Sequence, residues 1–149
     1  MRIVAGSDHA GLTLKDHLVA RLRAQGYEVI DVGTVTAASV DYPDFAIAVA
    51  REVAEGRAEL GLLVCGSGQG MAMTANRVPG VRAAVVCDTF SAKATRLHND
   101  ANVLCLGQRV VGPGLAEEIL DVFVETPFEG GRHSGRLLKV MALDRGGAE

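Results

Sequence analysis

Short apolar runs alternate along this chain with longer segments in which apolar residues recur at helical spacing. The runs Ile3–Gly6, Glu28–Val32, Leu60–Val64, Ala83–Cys87 and Val103–Leu106 have the length of single strands. Between them, Leu14, Leu18 and Leu22 form one helical stripe, and Phe45, Val49 and Val53 form another. Gly70–Asn76 and Ser91–His98 predict two short helices, Leu115, Ile119, Leu120 and Phe123 mark a longer one, and a last helix is expected over Arg132–Leu143. Strands apolar almost throughout are those covered by helices on both faces. The pattern therefore predicts an α/β fold, a three-layer αβα sandwich around a Rossmann-like five-stranded parallel sheet. No linker, internal repeat or low-complexity tract interrupts residues 1–149, so one domain is expected, with Gly146, Gly147 and the last two residues frayed.

Ligands in such folds bind beyond the carboxyl ends of the strands. Polar residues suited to chemistry fall in the segments between elements: Asp8 and His9, Asp41 and Tyr42, Cys65 and Ser67, His98 and Asn99, and Arg109. All five groups are expected at that one end of the sheet.

Composition narrows the function. Apolar residues make up 48% and charged residues 22% of the 149 positions, which is enough for a folded core. Aromatics amount to 4% with no tryptophan, which argues against a base-stacking surface or an aromatic sugar platform. The net charge of -3, without a basic run, argues against nucleic acid or an acidic membrane as partner. Cys65, Cys87 and Cys105 form no short pairing motif and read as reduced thiols. The opening Met1–Gly6 leads directly into a strand, with neither a membrane span nor the order of a signal peptide, so a cytoplasmic protein is expected.

The segment Leu60–Gly70 carries most of the chemistry. It is an apolar run ending in Cys65, followed by glycines at 66, 68 and 70 and then a helix. Free backbone N–H groups at a helix start bind anions and ease ionisation of a thiol. Gly66, Gly68 and Gly70 permit close backbone approach, and Ser67 offers a further donor; the same groups suit a phosphate or an enediolate. Other glycine loops fail by position. A P-loop needs lysine followed by serine or threonine where Ala72, Met73 and Thr74 stand, and both a dinucleotide fingerprint and a cysteine-phosphatase loop are broken at Met71.

Around this segment, His98 suits either a helix cap or an acid–base catalyst. Asp8 suits an N-cap or a site carboxylate, and His9 a phosphate donor or an orienting residue. His17, inside the first helix, reads as a surface or interface residue. Arg132, His133 and Arg136 form a cationic group, with the two arginines four apart on one helical face. Scattered histidines, with no HxH or HExxH and no second thiolate beside Cys65, give no metal motif.

Seven motifs bring the chain close to a known family: Gly6-Ser7-Asp8-His9-Ala10-Gly11, Asp41-Tyr42-Pro43, Cys65-Gly66-Ser67-Gly68-Gln69-Gly70, Ala75-Asn76-Arg77, His98-Asn99-Asp100-Ala101-Asn102, Gly107-Gln108-Arg109 and Phe128-Glu129-Gly130-Gly131-Arg132-His133. Together they resemble the type B ribose-5-phosphate isomerases, within the wider group that includes allose-6-phosphate and galactose-6-phosphate isomerases. The resemblance spans nearly the whole chain. It implies an aldose–ketose interconversion of ribose 5-phosphate and ribulose 5-phosphate without metal, nicotinamide or flavin. By the same resemblance, Cys65 matches the base that moves a proton between C2 and C1, with Ser67 beside it. His98 matches the residue that assists ring opening, helped by Asp8. Tyr42, Asn99 and the loop residues Gly66, Gly68, Gln69 and Gly70 match substrate contacts. His9, Arg109, Arg132 and Arg136 match the phosphate group, some of them reaching across from the partner of a homodimer whose sites lie at the subunit interface. A tetramer is the alternative assembly, and the helix from about residue 132 is expected to pack on the partner. Some relatives replace the cysteine by a glutamate further along the loop; Met71 occupies that position here, which indicates the cysteine branch. An isomerase preferring a hexose 6-phosphate and a non-catalytic sugar-phosphate-binding module are the competing readings.

Overall fold

In the computed structural model, which describes residues 1–145, five strands lie in one parallel sheet. The frayed end expected from Gly146 lies outside the described residues. Strand β1 (Arg2–Ser7) pairs with β2 (Glu28–Asp31) on one side and with β3 (Leu60–Cys65) on the other. Strand β3 pairs in turn with β5 (Val103–Gly107), and β4 (Ala83–Val85) closes the far edge. The order is β2-β1-β3-β5-β4. Helices α1 (Leu12–Ala24), α2 (Tyr42–Ala54), α3 (Gln69–Ala75), α4 (Thr89–Asn99), α5 (Pro113–Glu125) and α6 (Arg132–Ala142) alternate with and follow the strands, and a short 3-10 turn covers Leu143–Arg145.

The predicted stripes make the two apolar layers. On one face Leu14, Leu18 and Leu22 of α1 meet Ile119, Leu120 and Phe123 of α5 over Leu62 and Leu104. On the other, Ala46 and Val49 of α2 and Met71 and Ala75 of α3 cover Val4, Leu63, Cys65 and Cys105. Alternation along β3 therefore sends Leu62 and Val64 one way and Leu63 and Cys65 the other. Leu115 departs from its predicted stripe and is exposed; with Pro113 at the start of α5, Ala116 takes the buried position instead. Among the described residues, no helix is long and apolar enough to cross a membrane.

Lys15, inside α1, is 1% exposed, a position the apolar pattern does not predict. Its ammonium bonds Asp31 at 2.6 Å and Asp16 at 2.7 Å. Burial opposes its charge, but these two carboxylates outweigh that and hold its pKa above the ordinary lysine value. The pair fixes the end of β2 against α1. Helix α1 follows β1 on one face of the sheet and α3 follows the adjacent β3 on the other, which opens a crevice at their carboxyl ends.

Candidate active site

Cys65 is the last residue of β3 and sits 6% exposed at the floor of that crevice. After it the backbone turns through Gly68, whose φ of +80° is a left-handed conformation that glycine adopts without strain. The turn points the Gly68 N–H at Cys65 Sγ, 3.1 Å away. The loop is braced from β5, since Gln108 N–H donates to Cys65 O at 2.9 Å and Arg109 N–H to Gly66 O at 3.0 Å. Ser67 Oγ accepts the N–H of Gln69, the first residue of α3, at 3.4 Å. Gly70 is where the Tyr42 ring packs: a Cβ there would lie 2.7 Å from ring carbons.

The loop after β1 supplies the opposite wall. Asp8 is buried, and its Oδ1 accepts from Ala10 N–H at 2.9 Å and Gly11 N–H at 3.1 Å. It thus closes the turn before α1 and also lines the crevice. The N-cap position expected for it is taken instead by Gly11, three residues on, because the turn held by Asp8 comes before the helix starts. His9 Nδ1 accepts the Val40 N–H at 3.2 Å, which leaves Nε2 as the protonated, donating nitrogen of a neutral ring. Asp8, His9, Tyr42, Cys65, Ser67 and Arg109, with backbone at Gly66 and Gly70, line a cleft of about 430 Å³. That is room for a small, polar ligand.

The remaining predicted residues lie elsewhere. His98 and Asn99 were expected at the carboxyl end of the sheet with the rest; they stand instead at the end of α4, which runs from β4 back to the start of β5. A crossover helix in a parallel sheet must return to the amino edge, so its last residues sit on the order of 15 Å from its first. There the His98 ring stacks on that of His133, centroids 4.5 Å apart and planes inclined by 20°. Glu129 Oε2 lies 3.9 Å from His98 Nε2 and 3.5 Å from His133 Nε2. Arg132 Nε donates to His133 Nε2 at 3.4 Å, and Arg136 adds positive charge nearby. Burial, then the charges of His98, Arg132 and Arg136, hold the His133 pKa below the ordinary histidine value, against the pull of Glu129.

The ligand atoms of His98, Glu129 and His133 lie within 4.8 Å of one another. Arg132 Nε already donates to His133 Nε2, the atom that would be the ligand, and its guanidinium brings positive charge against any cation there. This group suits an anion better than a cation. Asn99 faces a groove lined also by Leu137 and Val140 of α6. Gln69 is exposed at the start of α3, outside the cleft lining, and Gly68 is buried beneath it, so the contribution of Gly68 is its N–H toward Cys65. His17 pairs with Glu117 of α5 on the surface.

Met71 is fully buried in the apolar layer under the loop, so among residues 65–71 Cys65 is the one with an ionisable side chain, and it lines the cleft. Cys105 lies on the same sheet face two positions below the level of Cys65; burial first, and then the neighbouring Cys65, push its thiol pKa far above the ordinary range, so it stays neutral. Cys87 is exposed. Glu129 was not singled out in the sequence, although its spacing of four from His133 is a usable signal once both are placed at a helix start.

Residues 3–140 match the family described as Ribose/Galactose Isomerase. Ribose-5-phosphate isomerase B of Escherichia coli strain K12 is 44% identical over 144 residues, covering 97% of each chain. The fold superposes on ribose-5-phosphate isomerase B of Clostridium thermocellum with a TM-score of 0.97 and 46% identity, over 98% of this chain and 99% of that one. It superposes on ribose-5-phosphate isomerase B of Mycoplasma genitalium, solved with bound ribulose-5-phosphate, with a TM-score of 0.93 and 42% identity, over 97% and 96% of the two chains. With the strand-end thiol, the glycine loop and near-complete overlap in sequence and fold, the chain belongs to the ribose/galactose isomerase family.

Proposed function

We propose that the protein interconverts D-ribose 5-phosphate and D-ribulose 5-phosphate by moving a proton between C2 and C1. The observation that carries this reading is the thiol of Cys65 at the floor of a sugar-sized cleft, with the Gly68 N–H turned onto it. The names of its relatives, one of them solved with bound ribulose-5-phosphate, support the same reaction.

In the aldose-to-ketose direction the Cys65 thiolate takes the C2 proton, the electron pair forms the C1–C2 double bond, and the aldehyde oxygen becomes the enediolate oxygen. Loop N–H groups and Ser67 stabilise that charge; one such donor is worth about 3 kcal/mol in the transition state. The Cys65 thiol then returns the proton to C1 while the hydroxyl on C2 passes its proton to the enediolate oxygen on C1, so that O2 becomes the carbonyl and O1 the hydroxyl. Tyr42, Gly66 and Gly70 frame the sugar chain. The phosphate does not react, and its binding energy positions C1 and C2. His9 Nε2–H and Arg109 hold it from the cleft.

Ribose 5-phosphate is a closed hemiacetal, so a proton must leave O1 and another must reach the ring oxygen before C2 becomes acidic. His98 carries this step, aided by Asp8. Because His98, Asn99, Arg132 and Arg136 stand at the other edge of the sheet, they serve the cleft of a second copy in a homodimer. Helix α6 supports that assembly, with Leu138 70% and Val140 55% exposed beside Leu143. The three cysteines, free in this fold, suit a reducing cytoplasm. A hexose 6-phosphate is the competing substrate, because it is longer by one CHOH unit and uses the same proton transfer.

The test is kcat/KM of the metal-stripped protein on ribose 5-phosphate and allose 6-phosphate side by side. A clear pentose preference is expected. A hexose preference moves the assignment to the other substrate, and turnover of neither overturns the isomerase reading.

A further inference from the structure

Asp100 is the one residue other than glycine with a positive φ among those described, at +46°. It caps α4 directly after His98 and Asn99. Its N–H returns to Arg96 O at 3.2 Å and the following N–H of Ala101 to Thr95 O at 3.1 Å, so the last carbonyls of the helix are satisfied in a left-handed turn. Glycine adopts that turn without cost, whereas a side chain there is strained. The side chain present is held from two elements. Arg82, just before β4, donates from Nη2 to Asp100 Oδ2 at 3.0 Å and from Nε to Asp100 O at 2.7 Å. Arg96, within α4, donates from Nη1 to Asp100 Oδ1 at 3.0 Å. Arg96 Nε also reaches Thr126 O, at the root of the loop that carries Glu129, and Glu129 N–H donates to Leu97 O at 3.1 Å.

His98 itself is weakly anchored. Its side chain is 42% exposed, and its partners are the stacked His133 ring and the Glu129 carboxylate at 3.9 Å. The direction in which it leaves the fold is therefore set by how α4 ends. We infer that Asp100, clamped between Arg82 and Arg96 in a left-handed turn, is a positioning residue that aims His98 and Asn99 out of the fold for the ring-opening step. This rests on the isomerase reading given above.

Chemistry separates ring opening from proton transfer. With its O5 phosphorylated, ribulose 5-phosphate is an open chain, so exchange of its C1 proton with solvent deuterium requires the Cys65 step and no ring opening. Asp100→Gly relaxes the strained turn and deletes the carboxylate contacts to Arg82 and Arg96 while keeping Arg82 Nε on the main-chain oxygen, so the helix keeps its cap while the aim is lost. Its kcat on ribose 5-phosphate is expected to fall about 10- to 100-fold, the cost of a misplaced group, with a much smaller rise in KM through Asn99 and C1 exchange of ribulose 5-phosphate at saturation kept within about threefold. Asp100→Asn, which tolerates the left-handed turn and keeps one acceptor, is expected to recover part of the loss. Equal loss of both activities in both variants, with a lowered melting temperature, would make Asp100 a fold residue and overturn the inference. Unchanged turnover in Asp100→Gly would overturn it too. If the wild-type protein neither isomerises ribose 5-phosphate nor exchanges C1 of ribulose 5-phosphate, the isomerase reading itself has failed.

Discussion

At the carboxyl edge of the sheet, Cys65, Gly68 and Gly66 are held by strand register and by backbone hydrogen bonds from β5. At the amino edge, His98, Arg132 and Arg136 stand on helix ends, His98 half-exposed and both arginines exposed. The first group is complete within one chain and is as rigid as the sheet beneath it. The second group faces away, on a helix whose apolar residues Leu138 and Val140 are themselves uncovered. Proton transfer tolerates little misplacement, so the group proposed for it sits on the least deformable part of the fold. The histidine proposed for ring opening, and Arg132 and Arg136, proposed to complete the phosphate site begun by His9 and Arg109, are groups that only a second chain could deliver to this cleft.

The sharpest way to break this comparison begins with the largest effect. Cys65→Ala is expected to lower kcat by roughly 10³-fold or more, with the fold and most phosphate affinity intact. Turnover near the wild-type level would remove Cys65 as the base. His98→Asn is expected to fail on ribose 5-phosphate for the other reason. Co-refolding the two inactive chains in equal amounts then tests whether the halves meet across a two-fold interface. A homodimer with shared sites gives hybrids in which one site has both intact residues, so about a quarter of wild-type activity should return. No recovery would place both residues in the same chain's site.

The sheet edge was far more legible in the sequence than the helix ends. The apolar runs that became β1, β3 and β5 leave one thiol at a strand end and a glycine loop after it, and strand ends of a parallel sheet lie where ligands bind. His98 and Asn99 close a helix that the spacing of Ser91–His98 already predicts, and the expectation that they join the strand-end groups ignores where that helix leads. Its length carries them to the opposite edge. Nothing in local periodicity states which edge a helix end reaches; the βα order does, once it is applied. Lys15 stayed hidden for a different reason: a buried lysine is readable only with Asp31, which is distant in sequence and joined through β2. The proposed division of the site between subunits became visible only from resemblance and from the distance between the two groups.

A milder change sharpens the second region alone. Arg136→Ala is expected to raise KM for ribose 5-phosphate roughly tenfold, with kcat little altered, because the phosphate is held and does not react. Arg136→Lys should recover only part of that loss, since a point charge replaces a planar fork of donors. Unchanged KM would take Arg136 out of the phosphate site. A fall in kcat alone would mean that the arginine acts on the reacting carbons.

The smallest effect concerns pH and stability, and it belongs only to the amino edge. His133 is buried beside His98, Arg132 and Arg136, and its pKa lies below the ordinary value near 6.5. The unfolded chain therefore takes up a proton at this position before the folded one does. Stability from this group is complete above the ordinary histidine value and is lost as pH falls through it. The wild-type melting temperature should consequently drop more between about pH 7 and pH 5 than that of His133→Asn, measured in buffers of equal ionic strength. Added inorganic phosphate should shrink the difference, because an anion on Arg132 and Arg136 cancels part of the field that disfavours the His133 proton. It cannot remove the difference entirely, since burial is the larger cause. If phosphate leaves the pH dependence untouched while still stabilising the protein, it binds at the carboxyl edge through His9 and Arg109, and the arginines of α6 have a different role.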